Sequence, residues 1–286
     1  MAKNKINIIN NFFSQKTFRQ CFEKKDDTVY KEVIKRYISD ADGKDNAKLI
    51  SEIYTVLKKG YRNEYYYKNT LLNKLLLGVH SVNTTTALTE IPISNSKADF
   101  VLINGKAVVY EIKTELDNLE RVENQINDYY KAFDHVAVVT CMDNVKALQS
   151  KIESIGKPVG IYVLQKNGAI KTITKPEIYK ESIDPNIMFQ ILRKKEFEDI
   201  IKQEYGYLPE VSAFKYYSDC RKLFVEIDIE DSYKSFLRHM KKRAVIEKES
   251  FEEIPYELKF LAYFMKLKDR DYKKIDVFLN EVYGGV

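Results

Sequence analysis

The sequence predicts an α/β protein in which a mixed β-sheet core is flanked by helices. Three observations support this class. Short β-branched or aromatic runs bounded by turn residues follow one another between residues 87 and 164, as strands do. Two segments of helical periodicity separate the last three of these runs. Helical periodicity also dominates the chain before and after, so we expect N-terminal helices and a helical C-terminal region.

The predicted N-terminal segment, residues 1–60, is helical. Apolar residues recur at helical spacing from Asp26 to about Lys59, with a break at residues 40–46, which predicts a helical hairpin. Another helix is predicted from about Asn63 to Leu77, with Gly78 as its natural end. This helix opens a predicted core domain of residues 61–180.

The predicted strands cover residues 87–93, 99–103, 107–113, 135–140 and 159–164. Helical spacing between the third and fourth strands extends from Asp117, the expected N-cap, to Phe133. A second helix is predicted over residues 144–154. A hairpin that leads into strand, helix, strand, helix and strand predicts a sheet with mixed pairing.

Beyond about residue 180 the strands stop, and residues 181–286 are predicted to form a helical region. Asp184 as a cap and Pro185 at the first helical position open a helix that we expect to end near Gly206. Further apolar stripes follow between residues 214 and 283. This region shows no chemistry of its own, so any protein partner is expected to bind through it.

Composition limits the classes of function. The 286 residues are 44% hydrophobic and 31% charged, which is typical of an ordered globular protein. Lys and Arg exceed Asp and Glu by 47 to 42, a balance that is compatible with a polyanionic partner and too small to establish one. The three cysteines and three histidines are scattered, which argues against disulfides, zinc and a Ser/His triad.

No apolar run approaches the length of a membrane span, and the N-terminus has no leader pattern. We therefore expect a cytoplasmic protein without a membrane partner. Carboxylates are then the side chains expected to carry any chemistry.

Charged residues stand at the ends of two very apolar strands, with Asp99 on one and Glu111 and Lys113 on the other. Such groups are costly to bury unless they pair or bind a metal. Glu111 and Lys113 share a face because strand residues alternate. A strict two-residue Asn-Gly turn would pair Asp99 with Tyr110 and put Asp99 on the opposite face. We therefore predict an odd loop or a bulge around residues 103–106.

Two carboxylates and a lysine on one face suit a hard divalent cation such as Mg²⁺. Asp99, Glu111 and the backbone carbonyl of Ile112 are the expected ligands. Such an ion assists phosphodiester hydrolysis by polarising the phosphoryl group and generating hydroxide, and Lys113 would position the attacking water. The alternative is a salt bridge at the edge of the sheet that binds no metal.

The D-x₁₁-E-x-K pattern on a hairpin resembles the PD-(D/E)XK nuclease superfamily, which has a restriction-endonuclease-like fold. Its RecB-like subgroup carries Q-x₃-Y on the next helix, where this chain has Gln125 and Tyr129. A glutamate on the helix before the sheet often joins the site in that superfamily, and Glu64 matches it. The resemblance covers residues 62–164, with Ala98 where the family name expects proline. Within the superfamily, the sequence resembles small stand-alone bacterial RecB-like nucleases, which are often found in phage or defence settings.

This resemblance implies a nuclease that depends on Mg²⁺ or Mn²⁺, with DNA as the expected substrate. The implied catalytic residues are Asp99, Glu111, Lys113, Glu64, Gln125 and Tyr129, and the implied metal ligands are Asp99, Glu111, Ile112 and Glu64. Arg121 and Lys68 are the candidates for binding the substrate.

Each of these roles has a structural alternative. Glu64 would also be favoured in a first helical turn by the helix dipole, and Gln125 and Tyr129 would also serve as the polar edge of a helix. Arg121 and Lys68 are equally explained as surface cations. For the whole protein, the alternative is a nucleic-acid-binding or partner-binding module that retains the nuclease fold and cuts nothing.

Overall fold

The structure is a computed structural model that describes residues 8–60, 62–78, 84–244, 246 and 248–284. Its contacts divide the chain into two compact units. The first unit comprises Met1–Val82, Gln165–Ala169 and Val245–Val286, and the second comprises Asn83–Leu164 and Ile170–Ala244. The domain boundaries at residues 60 and 180 stay a prediction from the sequence.

The described residues form helices at both ends of the chain and six strands in its middle part. The helices are α1 (Gln15–Phe22), α2 (Thr28–Tyr37), α3 (Asn46–Gly60), α4 (Glu64–Leu71), α5 (Val122–Tyr129), α6 (Val145–Ile155), α7 (Pro185–Ile191), α8 (Lys194–Tyr205), α9 (Ala213–Glu226), α10 (Ile229–Lys241), α11 (Lys248–Glu252), α12 (Lys259–Phe264) and α13 (Asp269–Asn280). The strands are β1 (Thr86–Ile93), β2 (Ser96–Asn104), β3 (Lys106–Lys113), β4 (Val136–Thr140), β5 (Gly160–Leu164) and β6 (Ile170–Thr174).

The helices of the first unit pack through aromatic side chains and one buried amide. The Tyr30 ring of α2 stacks on Phe12 with 5.2 Å between centroids, and its hydroxyl donates to Asn46 Oδ1 at 2.8 Å. Asn46 Nδ2 in turn donates to the Phe278 carbonyl at 2.9 Å. These contacts join α2, α3 and α13, and α2 and α3 confirm the predicted helical hairpin.

The helix predicted from Asn63 to Leu77 changes type along its length. Asn63 is its N-cap, because its side chain accepts a hydrogen bond from the Tyr66 N–H at 2.9 Å. The α-helix α4 then gives way to a π-helix over Leu72–Leu77. Helical spacing predicts the span of this segment but does not distinguish the two forms.

The second unit contains a six-stranded sheet in the order β1-β2-β3-β4-β5-β6. Strands β1, β2 and β3 form an antiparallel meander, β3, β4 and β5 run parallel, and β6 returns antiparallel to β5. This confirms the predicted α/β class with a mixed sheet flanked by helices. Strand β6 was not predicted, because its residues are exposed or half-buried and form no apolar run.

The turn between β2 and β3 confirms the predicted odd loop. Ile103 pairs with Ala107 and Asn104 with Lys106, which leaves Gly105 alone at the tip with φ +71°. Such a φ favours glycine, which has no Cβ to clash. The same register, continued by one residue beyond Phe100 and Tyr110, sets Asp99 across from Glu111.

Two helices differ from the predicted boundaries. Helix α5 begins at Val122, and Asp117 instead closes a turn by accepting hydrogen bonds from the Thr114 N–H at 2.8 Å and hydroxyl at 2.7 Å. Asp184 does cap α7, whose Asn186 N–H it binds at 2.8 Å. However, the predicted helix up to Gly206 is broken in two around Arg193, where the backbone is extended.

The hydrophobic core of the second unit lies between one face of the sheet and several helices. Val101 of β2 and Val109 of β3 are fully buried in it, together with Ile126 of α5 and Phe236 of α10. Among the described residues, every helix is too short or too polar to span a bilayer.

The close approach at Gly160, the first residue of β5, gives a prediction about stability. A Cβ at this position would lie 2.7 Å from Pro176 Cδ and 3.1 Å from Ala137 Cβ. We expect Gly160→Ala to lower the free energy of unfolding by about 1–3 kcal/mol, as overpacking does. Gly60→Ala is the control, because nothing lies within 4 Å of its Cβ position. Urea unfolding of both variants checks this, and equal stabilities would contradict it.

Candidate functional site

Strand β3 and helix α5 bring four of the predicted site residues into one hydrogen-bonded network. Lys113 Nζ donates to Glu111 Oε1 at 2.7 Å and to Gln125 Oε1 at 2.9 Å. Gln125 Nε2 donates to Glu111 Oε1 at 2.5 Å, and the Tyr129 hydroxyl donates to Glu111 Oε2. The E-x-K and Q-x₃-Y residues therefore meet around a single carboxylate.

The sequence spacing explains this meeting. Glu111 and Lys113 are two apart on β3 and project from one face, whereas Ile112 between them is buried on the other. Gln125 and Tyr129 are four apart on α5 and lie on one helix face. Each pair is thus a regular product of its element, and the pairs meet because α5 packs on that face of the sheet.

Two further hydrogen bonds fix α5 against β2. The Lys97 carbonyl lies 3.0 Å from the Tyr129 hydroxyl and shares its single proton with Glu111, and Ser96 Oγ donates to Asp128 Oδ2 at 2.7 Å. Burial alone would raise the pKa of Asp128, but hydrogen bonds from Lys131 and Ser96 hold that pKa below its usual value. The helix that carries Gln125 is therefore held in place by polar contacts at its C-terminal end.

The network is almost completely withdrawn from solvent. Glu111 is 1% exposed and Lys113 is 8% exposed, so their charges compensate each other in a medium of low polarity. Removing one partner of such a pair generally costs about 3–5 kcal/mol. Burial, with the Glu111 charge adding to it, raises the pKa of Tyr129 above its usual value, so this hydroxyl stays protonated and can donate to Glu111.

Asp99 lies beside the same strand. Its Oδ2 accepts a hydrogen bond from the Ile112 N–H at 2.8 Å. In a strand, the N–H and C=O of one residue point to the same neighbour, so the Ile112 carbonyl also faces the β2 side. The next carbonyl, of Lys113, faces β4 and accepts from Thr140 Oγ1 at 2.8 Å. The Asp99 carboxylate and the Ile112 carbonyl therefore lie on the same side of β3.

A third carboxylate, Glu90 of β1, was missed by the sequence analysis. The register places it between Thr89 and Ile91, which pair with Phe100 and Ala98, and so beside Asp99. One oxygen of each carboxylate lies within 4.8 Å of the other. A charged residue inside the apolar β1 segment was the available signal, as it was for Asp99.

Glu90 also departs from regular strand geometry. Its φ is +57°, which is uncommon for a residue with a side chain. Its Oε2 lies 2.6 Å from Lys97 Nζ, and Lys97 is the residue whose carbonyl accepts from Tyr129.

The other predicted residues lie outside this network. Glu64 and Lys68 belong to the first unit, on α4, where Lys68 Nζ lies 2.6 Å from Glu64 Oε1. The Glu64 side chain is 57% exposed, whereas that of Lys68 is 8% exposed, so Lys68 is not the surface cation considered as an alternative. Arg121 is exposed and directly precedes α5.

The chemistry of the second-unit residues suits a hard cation. Mg²⁺ and Mn²⁺ prefer oxygen ligands, and the Asp99 carboxylate, the Glu111 carboxylate and the Ile112 carbonyl supply them. A carboxylate has about four acceptor positions, of which the three donors to Glu111 engage three. The residues therefore fit such an ion, with Lys113 Nζ next to the same carboxylate.

Comparison with known proteins points to one family. The sequence model of the family described as bacteriophage P4 protein cII matches residues 57–257. A curated relative, protein cII of Enterobacteria phage P4, is 24% identical over 148 residues, which are 50% of this chain and 50% of the relative. The chain thus spans about half the length of the curated relative it matches. No solved structure matches the chain.

The Tyr129 hydroxyl allows a direct test of the network. We expect Tyr129→Phe to lower the free energy of unfolding by about 1–3 kcal/mol, because it deprives a buried carboxylate of a donor. Tyr130→Phe is the matched control, since the Tyr130 ring is equally buried and its hydroxyl donates only to the neutral Pro158 carbonyl at 3.0 Å. Urea unfolding measures both, and a smaller effect at Tyr129 than at Tyr130 would contradict the described role.

Proposed function

This chain belongs to the bacteriophage P4 protein cII family, and we propose that it is a nuclease that hydrolyses phosphodiester bonds in DNA with Mg²⁺ or Mn²⁺. One observation carries the proposal: Glu111 and Lys113 of the E-x-K motif and Gln125 and Tyr129 of the Q-x₃-Y motif share one hydrogen-bonded network. These motifs are 12 residues apart at their nearest members, so their meeting in space supports a PD-(D/E)XK core of the RecB-like type.

The metal ligands in this proposal are oxygen atoms on the second and third strands. Asp99, Glu111 and the Ile112 carbonyl would hold the cation. Glu64, the further ligand that the family resemblance implies, belongs to the first unit and stays a prediction from the sequence. When bound, the ion polarises the phosphoryl group and lowers the pKa of a bound water. Without it, the anionic substrate would repel the anionic nucleophile.

Lys113 has two roles in the proposed reaction. Its ammonium group, 2.7 Å from Glu111 Oε1, offsets the charge of the carboxylate and keeps it in place. The same group can donate a hydrogen bond to the attacking water and to the charge that develops on the phosphoryl oxygens. A neutral side chain would lose both functions.

Gln125 and Tyr129 act as positioning residues. Each donates to one oxygen of Glu111, which fixes the plane of the carboxylate and leaves it little freedom to rotate. Gln125 also accepts a hydrogen bond from Lys113 Nζ. Because it contacts both groups, it holds the Lys113 ammonium at a fixed distance from the Glu111 carboxylate. Such preorganisation lowers the reorganisation needed in the transition state.

Substrate contacts in the proposal come from cations. The exposed Arg121 binds a backbone phosphate, since guanidinium groups recognise phosphates through charge-assisted hydrogen bonds. Lys68 is left out of the proposal, because its side chain is only 8% exposed and its ammonium group lies 2.6 Å from Glu64 Oε1. The relative from Enterobacteria phage P4 supports a phage setting, in which the protein would act in the cytoplasm on nucleic acid.

A second candidate function is a binding module that retains the fold and cuts nothing. The observation that favours it is that three side chains already engage Glu111, which is 1% exposed. These hydrogen bonds would also explain the burial of Glu111 and Lys113 as a structural ion pair that binds no metal. Binding of nucleic acid that persists in EDTA, with no cleavage of any substrate, would favour this candidate.

We expect the purified protein to cleave DNA in the presence of Mg²⁺ or Mn²⁺ and to lose this activity in EDTA. Glu111→Gln should reduce the rate by at least about 100-fold, as loss of a key electrostatic group does, and Lys113→Ala should reduce it similarly. Glu123→Gln is the matched control, because Glu123 lies on α5 and is exposed. Circular dichroism on each variant establishes that it is folded.

Metal binding is measured separately by calorimetric titration with Mn²⁺. The wild-type protein should bind, and Asp99→Ala should not. Wild-type activity in Glu111→Gln or in EDTA would contradict the proposed mechanism.

A further inference from the structure

The parallel strands β3 and β4 end at one edge of the sheet, where Lys113 pairs with Thr140. Two large apolar side chains are exposed directly beyond this edge. Leu116 follows β3 and is 60% exposed, and Met142 follows β4 and is 51% exposed. Ligands of open α/β sheets bind at the carboxyl ends of the parallel strands, so this edge is where a substrate of Lys113 would lie.

The backbone of this edge is fixed by hydrogen bonds. Asn144 Nδ2 donates to the Thr114 carbonyl at 3.2 Å and to Thr140 Oγ1 at 3.3 Å. Thr140 Oγ1 donates to the Lys113 carbonyl, and Asp117 closes the turn after Thr114. Leu116 and Met142 are therefore exposed on segments whose backbone is held by hydrogen bonds.

The charges around these two residues distinguish between parts of a nucleic acid. The exposed neighbours Glu115 and Asp143 are acidic, so a backbone phosphate is disfavoured at this position. A nucleobase has an uncharged face that suits Leu and Met, and amino groups at its edge that donate to carboxylates. The chemistry of the edge thus fits bases better than phosphates.

We propose that Leu116 and Met142 contact the faces of unpaired bases next to the bond that is cut. This inference rests on the proposed nuclease function and specifies its substrate. In a duplex the base faces are stacked on each other, so apolar side chains reach them only when a step is opened. The protein therefore prefers single-stranded or locally opened DNA over intact duplex.

The experiment measures binding of the full chain to fluorescent oligonucleotides in EDTA, so that no cleavage occurs. The probes are a single strand, its duplex, and the same single strand with abasic sites at successive positions. The variants are Leu116→Ala with Met142→Ala, and the control Ile178→Ala, an exposed apolar residue of the same unit at 59% exposure.

We expect the wild-type protein to bind the single strand more tightly than the duplex. The double variant should bind the single strand about five- to tenfold more weakly, the effect of losing roughly 1–1.4 kcal/mol of apolar contact. One abasic position is expected to weaken wild-type binding most. The double variant should bind the strand with that abasic site as tightly as it binds the intact single strand. Ile178→Ala should bind as the wild type does.

Two results overturn the inference and are distinct from each other. If the wild-type protein binds or cleaves DNA and the double variant binds equally well, the edge does not contact bases and the proposed nuclease function stands. An edge that serves a basic protein partner would give this result. If the wild-type protein neither binds nor cleaves any probe, the proposed function and the inference fail together.

Discussion

The fold of the second unit depends on how one buried negative charge is compensated. Glu111 stands in a strand that is largely apolar between Lys106 and Lys113, and its carboxylate accepts hydrogen bonds from Lys113, Gln125 and Tyr129. That requirement fixes the position of α5 on the sheet, because two of the three groups come from this helix. It also fixes which residues of β3 face α5, since a one-residue shift in the pairing register of β3 would turn Glu111 and Lys113 to the other face of the sheet. The fully buried Val122 and Ile126 pack the same helix into the core, so apolar packing and the hydrogen-bonded network hold α5 together.

The same network restricts the positions of the groups that take part in the proposed chemistry. A carboxylate that accepts from three donors has little freedom to rotate, and a lysine held between it and Gln125 keeps a defined position. The nearby Asp99, bound to the Ile112 N–H, approaches from the neighbouring strand. Charge and geometry at the site thus come from two adjacent strands, β2 and β3, and one helix, α5.

The sequence predicted much of this arrangement and missed identifiable parts of it. The strands follow from periodicity, which depends only on local geometry. The odd turn at Gly105 was predicted because Asp99 and Glu111 had to share a face, and the link between the two motifs came from the family resemblance. Strand β6 was missed because its residues are largely exposed, and the break before Lys194 was missed because apolar spacing continues across it. Asp117 was misassigned because the residue types that cap helices also close turns. Glu90 was missed because its position beside Asp99 comes from the pairing between β1 and β2, which spacing along the chain does not reveal.

The mixed sheet has a consequence for how the protein acquires its site. The meander of β1, β2 and β3 joins residues that are close in the chain, whereas β4 must return across the span that contains α5 before it can pair with β3. Local contacts generally form sooner than distant ones, so we expect the hairpin to exist before the helix docks on it. During that interval Glu111 and Lys113 are hydrated rather than buried together. A chain that stalls at this stage would carry Glu111 and Lys113 without the hydrogen bonds that Gln125 and Tyr129 supply in the folded protein.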